Sequence, residues 1–179
     1  MNHFHPLPRQ WLMTDERMGD GLLAALDRLP PGGGIVFRHY RLGEAERHAL
    51  FRAARERARA RGQMLLLAGS AEQARAWGAD GSHGHGAGAG FRSASVHDLA
   101  ELRAAAAAGA GLVFISPVFA TRSHPGATPL GVDGFLALAR QTRLPAIALG
   151  GVSAARGAGL VARGAYGWAG IDAWLGEPG

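Results

Sequence analysis

Residues Gly111 to Gly126 read GLVFISPVFATRSHPG. Gly111 to Phe119 has the uncharged, apolar pattern of a buried strand. A polar loop follows, with Thr121, Arg122, Ser123 and His124 in a row before Pro125-Gly126. Hydroxyls, a guanidinium and an imidazole at the carboxyl end of a strand make an anion-binding group. Further along, Pro145 to Val152 reads PAIALGGV, a second buried strand ending in Gly150-Gly151. Two adjacent glycines let backbone N–H groups approach a phosphate closely.

Outward from these two strands, six more strand-like segments can be marked. The full set is Trp11–Thr14, Ile35–His39, Met64–Ala68, Gly81–His85, Phe91–Ser95, Leu112–Phe119, Ala146–Leu149 and Tyr166–Asp172. Helical patterns lie between most of them, at Gly21–Leu29, Glu44–Arg61, Ala71–Trp77, His97–Ala108, Val132–Thr142 and Ser153–Arg163. Strand and helix alternating through a domain predict a parallel sheet, and eight such repeats predict closure into a (β/α)8 TIM barrel. A length of 179 residues is short for that fold, so residues 1–179 read as one compact domain with lean loops. Only Gly86 to Gly90 separates the fourth and fifth strands. A parallel crossover normally takes a dozen or more residues, so the fourth helix is expected to be reduced or missing and that sector irregular or open. The glycines of Gly84–Gly90 do not read as a dinucleotide loop, because no amphipathic helix opens after them.

Hydrophobic content of 47% against 18% charged residues describes a folded globule. The chain has no cysteine, which excludes disulfides, thiolate nucleophiles and zinc–thiolate sites and fits the cytoplasm. It also has no lysine, so the net charge of +5 rests on arginine alone. A lysine Schiff base, a lysine general base and a P-loop lysine are thereby excluded. No apolar signal segment is visible in Met1 to Asp20, and glycines, Ser116 and Pro117 break the uncharged stretch from Ala104 to Thr121, so no membrane partner is expected. Arg52, Arg55, Arg57, Arg59 and Arg61 crowd one helix. Few aromatics accompany them and a barrel's outer helix is ordinarily charged, so nucleic acid is not the expected partner.

Chemistry in a parallel barrel sits at the carboxyl ends of the strands. Those ends carry Asp15, Arg38 with His39 and Tyr40, Gly69-Ser70, His83 and His85, Ser95 with His97, Thr121 to His124, Gly150-Gly151 and Asp172. Five of the eight histidines fall in this set, namely His39, His83, His85, His97 and His124. They would gather acid/base groups of near-neutral pKa at one mouth. His83 and His85 alternate on a strand and so point to one side. That is a weak metal alternative, needing a third ligand such as His97 or His39.

The two strand–loop segments resemble the thiamine phosphate synthase and thiazole tautomerase family. The family's G-P-V-F-x-T-x-T-K-P-G-like motif appears as Ser116-Pro117-Val118-Phe119-Ala120-Thr121-Arg122-Ser123-His124-Pro125-Gly126, and its apolar strand ending in Gly-Gly follows in the same order. The likeness extends to Thr14-Asp15 in the first strand, to Arg38, to Ala79-Asp80-Gly81 with His83 close behind, and to Ser95-Val96-His97. It implies a transferase of thiamine biosynthesis that joins a hydroxymethylpyrimidine pyrophosphate to a thiazole phosphate, with Mg²⁺ on the leaving group. Its implied partners are small phosphorylated heterocycles, and a homodimer is the implied assembly. Arg38, Ser95, His97 and His124 are the implied catalytic residues. Thr121, Arg122 and Ser123 would serve the phosphates with Gly150 and Gly151.

The departures are informative. Val36 and Tyr40 replace the glutamine and lysine flanking Arg38 in the family motif, and His124 stands where its later lysine would be. Ala68-Gly69 replaces an Asn-Asp pair, the Mg²⁺ carboxylate after strand four has no counterpart, and Asp172 stands for a phosphate-binding serine. The metal ligands are therefore largely missing. Two alternatives follow: an acid/base isomerase like the tautomerase, although Ser116 replaces its histidine, or a non-catalytic relative that binds a phosphorylated ligand.

Overall fold

Inward and outward residues alternate along each strand and build two cores. The computed structural model describes residues 6–122 and 125–176. Its strands are β1 (Gln10–Met13), β2 (Gly34–Phe37), β3 (Met64–Ala68), β4 (Gly81–His83), β5 (Arg92–Val96), β6 (Leu112–Ile115), β7 (Ala146–Ala148) and β8 (Gly167–Gly170). All pair in parallel in sequence order, and β8 returns to β1 through Leu12 opposite Gly170, closing the barrel. Trp11, Met13, Val36, Leu66, Phe114 and Ile147 fill the interior. Leu12, Ile35, Phe37 and Ile115, one step along the same strands, face the helices instead. Each large apolar side chain buried in this way contributes roughly 1.5–3 kcal/mol.

The helices are α1 (Leu22–Arg28), α2 (Glu44–Ala60), α3 (Ala71–Trp77), α4 (Leu99–Ala107), α5 (Gly131–Ala139) and α6 (Ala154–Ala162). Ser70, Asp98 and Ser153 cap α3, α4 and α6, accepting the amides of Gln73, Glu101 and Arg156. Such caps are worth about 1 kcal/mol each.

The missing fourth helix is as expected, since residues 84–91 join β4 to β5 without one. The expectation of an open sector is corrected: Ser82 pairs with Arg92 and His83 with Ser93, so the barrel is closed there. The physical reason is reach. At up to about 3.3 Å per residue, an extended loop of this length returns past the three-residue strand β4 unaided. Arg92 secures the loop by donating to the Gly86 carbonyl at 2.6 Å.

β6 is shorter than its apolar pattern predicts. It stops at Ile115, before the cis Ser116-Pro117 peptide. Beyond it, the Val118 and Phe119 amides cross to the carbonyls of Leu149 and Gly150. β8 likewise ends at Gly170, where a 3-10 turn (Asp172–Trp174) stacks Trp174 on Trp168, and the Trp174 indole donates to the Trp11 carbonyl at 2.9 Å.

Three arginines in and just after α2 are spent on the fold. Arg57 pairs with Asp27 at 2.7 Å, Arg61 donates to the carbonyls of Asp27 and Leu29, and Arg55 donates to the Trp77 carbonyl. No helix among the described residues is long and apolar enough to cross a membrane.

Candidate active site

A cavity of about 420 Å³ opens at the carboxyl end of the barrel. Arg38 and Arg122 line it together with Ser116, His97, the Gly150-Gly151 turn and Asp172.

β1 and β2 cooperate to hold Arg38. Its Nε donates to the Thr14 carbonyl at 2.7 Å, and one Nη donates to Asp15 at 3.2 Å. The Arg38 amide donates to Thr14 Oγ1 at 2.8 Å, and that oxygen lies 2.9 Å from His39 Nδ1. The next residue, His39, has φ +42, a left-handed conformation that histidine tolerates better than most side chains. Its buried ring stacks on Phe37, and burial lowers its pKa. His39 is therefore part of the Arg38 support. Burial also lowers the pKa of Arg38, with the Asp15 carboxylate opposing that shift.

Ion pairs rim the mouth from one strand end to the next. Asp15 meets Arg38 and Arg17 at 3.2 Å each, and Asp172 meets Arg122 at 3.0 Å and Arg17 at 3.9 Å. The repulsion expected between Asp172 and a bound phosphate is thus offset by two guanidiniums.

On the opposite wall, the β7–α6 turn carries Gly150 at φ +97 and Gly151 at φ +62. The amides of Gly150, Gly151 and Val152 donate to no acceptor among the described residues. They lie just before Ser153, the cap of the nine-residue α6, so three amide donors meet the positive end of a helix dipole. A methyl on Gly151 would collide with the Ala120 carbonyl, and one on Gly150 would come within 2.8 Å of Pro117. Gly151→Ala is therefore expected to weaken inorganic phosphate binding roughly 10- to 100-fold, the worth of about one charge-assisted hydrogen bond. Isothermal titration of the variant would measure it, and an unchanged affinity would place the phosphate elsewhere.

Among the described residues the expected histidine cluster is not assembled. His83 is buried inside the barrel, with Nδ1 2.9 Å from Ser93 Oγ and Nε2 3.2 Å from Ser95 Oγ. His85 is exposed beyond the end of β4. The chain bends at Gly84 before a second inward position is reached, so the strand alternation that would pair the two rings stops at His83. With both His83 nitrogens engaged, the His83–His85 metal alternative loses its geometry. His97 does line the cavity, and its Nδ1 lies 2.8 Å from Glu101 on α4. Ser123 and His124 lie outside the described residues, while Thr121 and Arg122 line the cavity.

Three contributors were not singled out from the sequence. Arg17 lies two residues beyond Asp15 in a 3-10 turn. Ser93 precedes Ser95 by two, a spacing that period-two alternation makes readable. Arg47 is buried and donates to the carbonyls of Arg38 and Ala68, tying β2 to β3. In sequence it is one more arginine of an arginine-rich helix.

These residues do not fit a Mg²⁺ site of protein carboxylates. Ala68-Gly69 offers no carboxylate, Asp15 and Asp172 are engaged by arginines, and no group of three metal-ligating side chains exists among the described residues. Asp80 sits at the other end of β4, where its carboxylate accepts the Leu65 amide at 2.8 Å, and burial raises its pKa. Its role is structural. The protein alone is expected to bind Mg²⁺ more weakly than about 1 mM, since Mg²⁺ keeps several waters and needs carboxylate or phosphate oxygens. A calorimetric Kd well below that value would reveal a site that this geometry lacks.

Residues 92–174 match the family described as thiamine monophosphate synthase. A thiamine-phosphate synthase of Methanoculleus marisnigri is 35% identical over 184 residues, covering 93% of this chain and 87% of its own. A putative thiamine-phosphate synthase 2 of Aquifex aeolicus is 28% identical over 183 residues, covering 94% and 98%. Among solved structures, a thiamine phosphate pyrophosphorylase from Pyrococcus furiosus superposes with a TM-score of 0.80 at 21% identity, over 96% of this chain and 88% of that one, which shows the shared barrel fold. With the barrel, the glycine-pair turn and a 35% identical relative matched over most of both lengths, the chain belongs to the thiamine monophosphate synthase family.

Proposed function

We propose that this protein joins a hydroxymethylpyrimidine pyrophosphate to a thiazole phosphate, giving thiamine phosphate and pyrophosphate. One observation carries the reading. A single cavity holds anion donors at two places, the arginines of the β1, β2 and β6 ends and the amides of the β7–α6 turn. A reaction between two phosphorylated substrates needs two such places.

In the proposed reaction the bond between the pyrimidine methylene carbon and the pyrophosphate oxygen breaks, and its electron pair leaves on the pyrophosphate. The thiazole nitrogen lone pair then forms the new carbon–nitrogen bond. Arg38 and Arg122 stabilise the charge that grows on the leaving group. Ser95 and Thr121 donate hydrogen bonds, with Ser123 and His124 as sequence-based candidates from the same loop. Gly150 and Gly151 hold the thiazole phosphate through backbone amides, which align the nucleophile.

The test supplies both substrates to purified protein with Mg²⁺ or with EDTA and quantifies thiamine phosphate. Product in either arm supports the coupling reaction. No product in both arms rejects it.

A second reading rests on the His97–Glu101 pair at the cavity. An imidazole oriented by a carboxylate is a proton carrier, which suits an isomerase acting on a thiazole carboxylate phosphate. Loss of isomerisation in His97→Gln, with coupling absent throughout, would favour it.

A further inference from the structure

Ser93, Ser95 and His97 form one inward row along β5 and just beyond it, by period-two alternation. His83 on the adjacent β4 stands between the first two, with Nδ1 2.9 Å from Ser93 Oγ and Nε2 3.2 Å from Ser95 Oγ. Its ring meets the edge of Phe114 in the barrel interior.

The proton positions follow from satisfaction of buried groups. Ser93 is fully buried, and His83 Nδ1 is the partner of its hydroxyl among the described residues. A buried hydroxyl proton without an acceptor costs about 1–3 kcal/mol. The Ser93 hydroxyl therefore donates to Nδ1, and that nitrogen is bare. The ring proton is then on Nε2, which donates to Ser95 Oγ. Ser95 is half-buried, one residue before the end of β5, and its oxygen is already engaged as an acceptor. Its own hydroxyl proton remains to be donated, and two residues on in the same row His97 lines the cavity.

We propose that Ser93 and His83 are positioning residues that fix the Ser95 hydroxyl as a hydrogen-bond donor to the pyrophosphate end of the cavity. The inference rests on the reading of that mouth as the anion site. Burial, with the fields of Arg38 and His85, also keeps the imidazole neutral, so a single proton is shared along the row. Among the described residues, Arg38 and His85 are the charged and titratable groups whose fields reach His83.

Two readouts separate this proposal from the site reading beneath it. Ring ¹⁵N spectra of the full chain report the His83 tautomer without substrate, and titration with inorganic pyrophosphate reports the donor. The expected spectrum is Nε2–H in the wild-type protein. Ser95→Ala and Ser93→Ala are each expected to weaken pyrophosphate binding about three- to tenfold. The double variant should be no weaker than Ser95→Ala alone, and Ser93→Thr should restore much of the loss. An Nδ1–H tautomer in the wild type overturns the proposal. So does a Ser93→Ala protein that binds as the wild type does while Ser95→Ala is impaired. A wild-type protein with the Nε2–H tautomer but no pyrophosphate affinity upholds the hydrogen-bond order and overturns the anion-site reading instead.

Discussion

Arg38→Leu is expected to lower kcat/KM for the coupling reaction roughly 10²- to 10³-fold, the usual cost of removing one preorganised donor at a centre of developing charge. The guanidinium is held by Nε on the Thr14 carbonyl and by one Nη on Asp15. Its other Nη has no acceptor among the described residues and belongs to a side chain that lines the cavity. Because the side chain is only 18% exposed, the cation acts in a poorly screened setting, where its effect on a pyrophosphate is larger than at the surface. Most of the loss should appear in kcat, since the leaving group gains charge as the bond breaks. Arg38→Lys should fall nearly as far. An ammonium group cannot hold the Thr14 carbonyl, meet Asp15 and reach the ligand with a fixed planar fork. Asp15 keeps Arg17 as a partner in both variants, so the rim survives. Steady-state kinetics beside a thermal melt would check this. A loss under about threefold with a folded variant would move the pyrophosphate to another part of the mouth.

The barrel was legible because its evidence is repetitive. Each buried run followed by an amphipathic stretch is a separate vote for the same architecture, and the short Gly86–Gly90 link marked the missing helix correctly. Where the chain stops being regular was harder to read. The Leu112–Phe119 run is apolar throughout, yet Pro117 has no amide to give, and the next two amides cross to the end of β7. The glycine pair and Arg38 were readable because each answers a local demand, a left-handed turn or a strand-end cation. The histidines were not. Whether His83 or His85 faces inward depends on the bend at Gly84 and on Ser93 and Ser95 across the ladder, neither of which is written near the histidines. Arg47 carries no local mark at all, because its work is to satisfy two carbonyls that only the closed barrel brings together.

The same buried imidazole makes the fold sensitive to acid, and this is the second large effect expected. Burial, assisted by the fields of Arg38 and His85, pulls His83 from an ordinary 6.5 down to about 4. Between those values the unfolded chain binds a proton that the folded chain refuses, so stability rises with pH through this window. The contribution is complete above the unfolded pKa and is lost as pH falls from 6.5 towards 4, after which it stays constant. At 1.36 kcal/mol per pH unit the loss amounts to about 3 kcal/mol. That is a substantial part of the roughly 5–15 kcal/mol typical of a domain. His39 acts in the same direction, since burial lowers its pKa as well. His83→Gln isolates the first contribution, because a glutamine amide can accept from Ser93 and donate to Ser95 while binding no proton in this range. Denaturant midpoints measured from pH 7 to pH 4 should fall steeply for the wild type and less steeply for the variant. Parallel curves would mean that His83 opens to water before the rest of the barrel does, so that its protonation no longer opposes the fold.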